Sequence, residues 1–269
     1  MAASVFKDKV VVITGASSGI GRELAYQLAA QGAWLALAAR NTERLAAVKS
    51  ECEGRGGKAI AISTDVSEVA QCVALIQQTV EHYSRLDMLI NNAGRTMYAN
   101  FEEIRDLSIF EQLMRGNYLG SVYCTYYALP FLRQTQGRIV GVASLAGKTG
   151  VPTRTGYAAS KHAMAGFFDS LRIEVAPCKV SVTMIYPGFV ATAIREQAFG
   201  RDGQSIGRST VQERDVMTVE TCARLILLAA EQRRRELVMT WRGKLGVWLK
   251  LIAPGLVDDI ARRAISVGH

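Results

Sequence analysis

Short apolar runs alternate along this chain with longer segments in which apolar residues recur every three or four positions. The short runs, rich in Val, Ile, Leu and Ala, predict buried strands over residues 9–14, 33–39, 58–64, 86–91, 138–143, 180–186 and 236–240. The longer segments predict helices over residues 20–31, 42–53, 67–83, 107–114, 118–132, 155–175 and 219–231. Apolar strands that alternate with helices are typical of a parallel sheet covered on both faces. The pattern therefore predicts an α/β fold, a doubly wound parallel sheet of about seven strands.

The composition indicates a single globular domain. The chain has 269 residues, of which 49% are hydrophobic and 21% charged, and it shows no internal repeat, low-complexity segment or linker. Five dispersed cysteines without a C-x-x-C pair predict reduced core thiols and a cytoplasmic location, and three scattered histidines predict no metal site. Residues 1–9 lack the apolar stretch of a secretory signal. The longest uncharged segment, residues 116–132, is too polar for a membrane span and predicts a buried helix.

Positive charge is concentrated near the end of the chain. Residues 231–269 contain eight basic and four acidic residues, which is half of the formal net charge of +8. Nucleic acid is one partner that such a tail would suit, but the rest of the chain shows no interleaved aromatic and basic pattern. We therefore expect no nucleic-acid binding.

The first chemical motif is the sequence Thr14-Gly-Ala-Ser-Ser-Gly-Ile-Gly21, which lies between the first predicted strand and the first predicted helix. Glycines let the backbone approach a phosphate closely, and a helix N-terminus offers unpaired N–H groups and the positive end of a dipole. A tight strand–helix turn without a ligand is the alternative. The spacing G-x-x-x-G-x-G differs from the common G-x-G-x-x-G, and this difference is itself informative.

Further motifs follow in order along the chain. Asp65-Val66 follows the third strand, Asn91-Asn92-Ala93-Gly94 the fourth and Ser144 the fifth, while Tyr157-x-x-x-Lys161 lies on a long helix. Pro187-Gly188 follows the sixth strand, with Val190 and Thr192 beyond it. Together with the glycine motif, this series resembles the short-chain dehydrogenase/reductase family over residues 9–240, near its hydroxysteroid dehydrogenase-like members.

The resemblance implies a Rossmann-like sheet in one domain and a nicotinamide dinucleotide at the carboxyl ends of the strands. By residue, it implies that the catalytic set is Ser144, Tyr157, Lys161 and Asn117. It further implies that the cofactor contacts Gly15, Ser17, Ser18, Gly19, Ile20, Gly21, Asp65, Val66, Asn92, Ala93, Gly94, Tyr157, Lys161, Pro187, Gly188, Val190 and Thr192. In the family, the lysine also holds the nicotinamide ribose, and the asparagine orders a proton-relay water.

The residue types of the catalytic set fit proton transfer to a carbonyl. Tyr157 and Lys161 are four residues apart on a helix, so both project from the same side. A free tyrosine has a pKa of about 10, and we expect the neighbouring ammonium to lower it by roughly one to three units. The phenol could then act as general acid or base, while Ser144 stabilises charge on the substrate oxygen. An ordinary surface pair is the alternative for Tyr157 and Lys161 alone.

The end of the second strand bears on the choice of cofactor. NAD enzymes place an acid there, about 20 residues past the glycines, whereas NADP enzymes offer an arginine for the 2′-phosphate. This strand ends in Ala39-Arg40, without a carboxylate to repel the phosphate, so we expect NADP(H) bound by Arg40. Arg22 is a second candidate.

The sequence thus predicts an NADP(H)-dependent oxidoreductase that interconverts a ketone and a secondary alcohol. Two alternatives are a 3-oxoacyl-thioester reductase and a non-catalytic NADP-sensing or scaffold protein on the same fold. Residues 189–215, rich in Gly, Gln, Ser and Arg, predict a lid on the substrate side. The resemblance suggests a homodimer or homotetramer that packs through the helices of residues 118–132 and 155–175.

The C-terminal segment has two open interpretations. We divide the chain into an NADP-binding catalytic domain, residues 1–240, and an amphipathic extension, residues 241–269. The extension mixes tryptophans, basic residues and aliphatic residues, and Pro254-Gly255 interrupts it. It would either pack on its own domain or a partner subunit, or lie on a membrane surface as a peripheral contact. Both interpretations add apolar wall to the pocket, so we expect a lipophilic carbonyl substrate, steroid-like or another lipid.

Overall fold

A seven-stranded parallel sheet forms the centre of the protein. The computed structural model describes residues 4–192, 194, 197–207 and 216–266. The strands are β1 (Val10–Thr14), β2 (Trp34–Ala39), β3 (Lys58–Ser63), β4 (Met88–Asn91), β5 (Arg138–Val142), β6 (Ser181–Tyr186) and β7 (Glu236–Val238). They are ordered β3-β2-β1-β4-β5-β6-β7, so the chain reverses its direction of travel across the sheet between β1 and β4. The predicted Rossmann-like doubly wound fold is confirmed, and ligands bind such folds at this reversal.

Successive side chains along each strand point to opposite faces of the sheet, so the core has two layers. In β1, Val11 and Ile13 belong to one buried cluster, whereas Val10 and Val12 belong to the other. Successive side chains of a strand point to opposite faces, so helices on both sides are needed to cover them. The first layer is completed by the helices α1 (Gly19–Ala29), α2 (Thr42–Gly54) and α7 (Val219–Glu231), and the second by α3 (Val69–Tyr83), α5 (Gly120–Thr135) and α6 (Thr155–Val175).

Two of the predicted helices are both present, but they are joined rather than separate. The segments 107–114 and 118–132 are a single continuous helical stretch that comprises α4 (Ser108–Leu113), a π-helical turn over Met114–Leu119 and α5. A π turn inserts an extra residue into a helix without ending it, and such turns occur frequently at functional sites. Asn117 lies within this turn.

The helices α5 and α6, which were expected to form the contacts between subunits, expose apolar side chains. Tyr126 on α5 is 72% exposed and Ile173 on α6 is 75% exposed. The oligomeric state stays a prediction.

The C-terminal extension forms two helices, α8 (Trp241–Ile252) and α9 (Pro254–Ser266). The interruption predicted at Pro254 is the boundary between them, and proline suits the first position of a helix because its missing N–H would have no helical partner there. Among the described residues, no helix has both the length and the apolar character that crossing a bilayer requires.

Part of the predicted lid is described, and it is joined to the loop after β4. Val190 pairs with Met217, and Phe199 pairs with both Met97 and Ser205 in isolated bridges. Arg95 stacks on the Phe199 ring at 3.7 Å from its centre. The predicted lid residues 193, 195, 196 and 208–215 lie outside the described residues.

Candidate active site

A cleft opens at the carboxyl ends of β1, β4, β5 and β6. Its walls include the end of the glycine loop, the loop after β4, the start of α6 and the segment after β6. The predicted residues Ile20, Asn92, Gly94, Ser144, Tyr157, Lys161, Pro187, Gly188, Val190 and Thr192 all line it. Residues far apart in sequence therefore meet because parallel strands bring their carboxyl ends to one edge of the sheet.

The glycine loop has the shape of a phosphate cradle. Gly15 and Gly19 have positive φ angles of 67° and 52°, which side-chain-bearing residues rarely adopt. A Cβ atom on Gly21 would overlap the carbonyl oxygen of Gly15. The N-terminus of α1 has neither a capping side chain nor an acidic residue in its first turn. Its first N–H groups therefore remain available to an anion, and the cradle fits a dinucleotide pyrophosphate.

Thr14 joins this loop to the segment after β4. Its hydroxyl accepts hydrogen bonds from the backbone N–H groups of Asn92 and Ala93, both at 3.0 Å. The Asn92 side chain donates in return to the Thr14 carbonyl oxygen at 3.0 Å. The sequence analysis did not predict that Thr14 would join the two loops. The Thr14 side chain is buried, so its hydroxyl bonds to these backbone groups rather than to solvent.

Asn117 fixes the loop that follows Gly94. Its side chain is 1% exposed, accepts from the Arg95 N–H at 2.8 Å, and donates to the Arg95 carbonyl at 2.9 Å and to Ser160 Oγ at 2.9 Å. The amide is thus occupied by the protein itself and holds the loop in place. Its part in a proton relay stays a prediction.

Ser144, Tyr157 and Lys161 converge on the cleft. Ser144 begins a 3₁₀ turn (Leu145–Gly147) directly after β5, and its Oγ accepts from the Ala146 N–H at 3.2 Å. Tyr157 and Lys161 lie on the first turns of α6 and are only 7% and 4% exposed. The Lys161 ammonium donates to the Val142 carbonyl at 2.9 Å and lies 5.9 Å from the centre of the Tyr157 ring.

The electrostatics of this set differ from the sequence expectation. Burial raises the pKa of Tyr157 above its ordinary value, while the Ser144 hydroxyl and the Arg154 guanidinium act in the opposite direction. Burial lowers the pKa of Lys161 to about 8. The net lowering of the Tyr157 pKa that the sequence suggested is therefore wrong for the protein alone, because burial raises this pKa by more than Ser144 and Arg154 lower it.

The sequence analysis did not identify Arg154 as a residue of the cleft. It precedes Tyr157 by three residues, and this spacing places both residues on one side of the start of α6. It lines the cleft and donates to Tyr98 Oη at 2.5 Å. Its guanidinium carbon lies 4.4 Å from the Tyr98 ring centre and 5.4 Å from that of Phe189. A cation thus joins the loop after β4 to the segment after β6.

Arg40 lies at the end of β2, where the motif placed it, but with an unexpected neighbour. The Asp65 carboxylate, at the end of β3, lies 3.8 Å from the Arg40 guanidinium. The end of β2 itself has no carboxylate, as the sequence indicated, and Asp65 comes from β3, because β2 and β3 are adjacent and their ends meet. The Arg40 side chain is 61% exposed and remains open to a ligand, and Asp65 uses its other oxygen to accept from Ser67.

The segment after β6 closes the opposite wall. Pro187 accepts a hydrogen bond from the Leu145 N–H at 3.0 Å, which holds the start of this segment beside Ser144. The side chain of Thr192 lies 3.2 Å from the position of a Cβ atom on Gly19. This segment therefore spans the cleft from the serine to the glycine loop.

Comparison with known proteins agrees with this geometry. The family model "short chain dehydrogenase" matches residues 9–202. The chain is 35% identical to a "Dehydrogenase/reductase SDR family protein 7-like" of Dictyostelium discoideum, over 98% of this chain and 84% of that protein. It is 35% identical to an "11-beta-hydroxysteroid dehydrogenase A" of Sesamum indicum, over 94% of this chain and 74% of that protein.

A solved structure shows the same fold. A short-chain dehydrogenase/reductase of Burkholderia phymatum in complex with NAD superimposes with a TM-score of 0.83, at 26% sequence identity, over 95% of this chain and 96% of that one. The chain belongs to the short-chain dehydrogenase/reductase family. It is an oxidoreductase whose fold holds a nicotinamide dinucleotide.

Proposed function

We propose that this protein interconverts ketones and secondary alcohols with NADP(H), on substrates with an apolar body. The observation that carries the reaction class is the convergence of Ser144, Tyr157 and Lys161 on one cleft, with two of them buried. A scaffold protein on this fold would have no need to bury an ammonium and a phenol beside a serine, since burying such groups opposes folding.

The proposed mechanism assigns a separate task to each side chain. When bound, the nicotinamide ring supplies the hydride in reduction and accepts it in oxidation. Tyr157 holds the phenol proton that passes to the carbonyl oxygen in reduction, and its phenolate takes that proton back in oxidation. Ser144 donates a hydrogen bond to the same oxygen as negative charge develops there. Lys161, fixed by Val142, would hold the nicotinamide ribose and stabilise the phenolate by its charge.

Preference for NADP(H) is assigned to Arg40. The guanidinium is mostly exposed and only weakly held, because its pair with Asp65 is long and solvated. A 2′-phosphate carries more charge than a carboxylate and matches the guanidinium fork in geometry, so it would outcompete Asp65 as the partner of Arg40.

Arg40→Ala tests this preference. A hydrogen bond to a charged group contributes about 1.5–3 kcal/mol, so the substitution should weaken NADPH binding by roughly ten- to a hundredfold. NADH binding should change little, since NADH has no phosphate at this position. Arg133→Ala, which removes an exposed arginine on α5, serves as the control. Equal losses of affinity for both cofactors, measured by fluorescence titration, would refute the assignment.

An apolar substrate is favoured by the walls around the catalytic groups. Val142, Phe189 and Ile194 line the cleft together with Ile20 and Val190. A relative named as a hydroxysteroid dehydrogenase aligns with 94% of this chain, which supports a lipid-like carbonyl compound. Arg154 adds one cation to this wall, so the walls are not uniformly apolar.

A screen of NADPH consumption tests the reaction and the substrate together. Apolar cyclic ketones should be turned over with a higher kcat/KM than sugars, small polar keto acids or 3-oxoacyl thioesters. A preference for thioesters would support the reductase alternative instead. Absence of turnover on every carbonyl class, with NADPH binding intact, would support the non-catalytic alternative.

A further inference from the structure

The two C-terminal helices turn large apolar side chains away from the rest of the protein. In α8 these residues recur at intervals of three and four, which places them along one side of the helix. Two more, four residues apart, lie on one side of α9. The six residues that we name the apolar face are each more than half exposed: Trp241, Leu245, Trp248, Ile252, Leu256 and Ile260.

The opposite side of α8 contacts the catalytic domain, so the exposure of the apolar face does not come from an unattached helix. Thr240 caps α8 by accepting from the Gly243 N–H at 3.0 Å. A Cβ atom on Gly243 would lie 2.8 Å from the Leu145 side chain, so glycine allows α8 to approach this residue closely. Lys250 donates to the Lys148 carbonyl at 3.0 Å. Gly243 and Lys250 therefore lie on the side of α8 that faces the protein, and the tryptophans and Leu245 lie on the outward side.

Basic residues border the apolar face. Arg242 and Lys244 are exposed on α8, and residues 241–263 contain five basic and two acidic residues. Outward tryptophans flanked by lysine and arginine are typical of helices that lie in the interface of an anionic bilayer. In such a position the aliphatic residues enter the acyl region, and the basic residues reach the headgroups.

The start of α8 lies next to the cleft. Leu145, which contacts Gly243, directly follows Ser144. The Thr240 side chain lies 3.2 Å from the position of a Cβ atom on Gly188, a residue that lines the cleft. The start of α8 therefore borders the part of the cleft that the segment after β6 lines, where Phe189 and Ile194 are also partly exposed.

We propose that the apolar face docks the protein on an anionic lipid bilayer, with the cleft beside the lipid so that an apolar ketone enters from the membrane. The route of entry rests on the proposed function, whereas docking does not. A second copy of the chain is the alternative occupant. It fits less well, because two copies of this face would bring basic borders together, whereas anionic headgroups complement them.

Sedimentation with vesicles tests docking without catalysis. The full chain should bind vesicles of phosphatidylcholine and phosphatidylserine at low salt, and bind pure phosphatidylcholine more weakly. Ile252→Ser should weaken binding at least about tenfold, the effect of exposing one isoleucine that the lipid would bury. Ile173→Ser is the matched control, since Ile173 is as exposed but lies on α6. That control should leave binding unchanged.

Charge reversal gives an independent test. A basic residue near an anionic surface contributes about fivefold in affinity, so Lys244→Glu should weaken binding by about 25-fold. Arg133→Glu makes the same change in charge on an exposed residue. Arg133 lies at the end of α5, which leads into the amino end of β5, and its substitution should have little effect.

The outcomes separate docking from the proposed function. Failure to bind phosphatidylserine vesicles at low salt would overturn docking, even if ketones were reduced in solution. A change in oligomeric state of Ile252→Ser in size-exclusion chromatography, without vesicle binding by the parent chain, would overturn it in favour of a second copy. Vesicle binding without turnover of any ketone would support docking and overturn only the proposed substrate and its route.

Discussion

Lys161 is expected to reduce the stability of this protein at neutral pH. Its side chain is 4% exposed, and burial lowers its pKa from 10.5 to about 8. One pKa unit corresponds to about 1.4 kcal/mol, so keeping this ammonium inside the folded protein costs about 3 kcal/mol relative to the unfolded chain. The role proposed for Lys161, to hold a ribose and stabilise a phenolate, requires a lysine that is charged and buried, and this requirement would account for the cost.

The pH dependence of stability reveals this cost. Between about pH 8 and pH 10.5 the unfolded chain keeps the Lys161 proton while the folded protein releases it. Unfolding therefore takes up a proton, and the free energy of unfolding rises with pH through this window. We expect the difference in this free energy, wild type minus Lys161→Met, to increase by about 2–3 kcal/mol from pH 7.5 to pH 10.

Urea unfolding followed by circular dichroism measures this difference at each pH. Tyrosines and cysteines also titrate in this range, but they are common to both proteins and cancel in the difference. Loss of the hydrogen bond to Val142 shifts the two curves relative to one another by an amount that does not depend on pH. Parallel curves would refute the reasoning, because they would mean that Lys161 titrates alike in the folded and unfolded states.

Three further predictions concern the cleft. Tyr157→Phe should reduce kcat to at most a few per cent while NADPH affinity stays nearly unchanged, because only the transferable proton is removed; substantial turnover in stopped-flow assays would contradict the assignment. Arg154→Met should move the acidic limb of the pH profile for alcohol oxidation to higher pH, since this cation lowers the pKa of Tyr157, and Arg154→Lys should restore part of the shift. Gly21→Ala should abolish cofactor binding in titrations because its Cβ would overlap Gly15, whereas Gly54→Ala, which meets no atom within 4 Å, should be neutral.

Local patterns in the sequence were enough to predict the fold and many of the residues that line the cleft. Apolar runs of five to seven residues that alternate with amphipathic segments are typical of parallel strands between two helical layers. The order of the motifs then assigned the glycine loop, Ser144, Tyr157 and Lys161, because each lies at the end of a strand or at a fixed helical spacing. Each of these motifs spans only a few neighbouring residues, so it can be recognised in the sequence without knowledge of the fold.

How these groups influence one another depends on contacts between residues that are distant in the sequence. The pairing of β2 with β3 placed Asp65 beside Arg40, although 25 positions separate them in the sequence. Burial, which depends on every surrounding element, reversed the expected net shift of the Tyr157 pKa. The sequence also identified the C-terminal segment as amphipathic without showing which side contacts the domain. In the structure Gly243 lies against Leu145 and Trp248 is exposed, which gives the orientation of α8. This orientation depends on the surface that the rest of the fold offers to the helix.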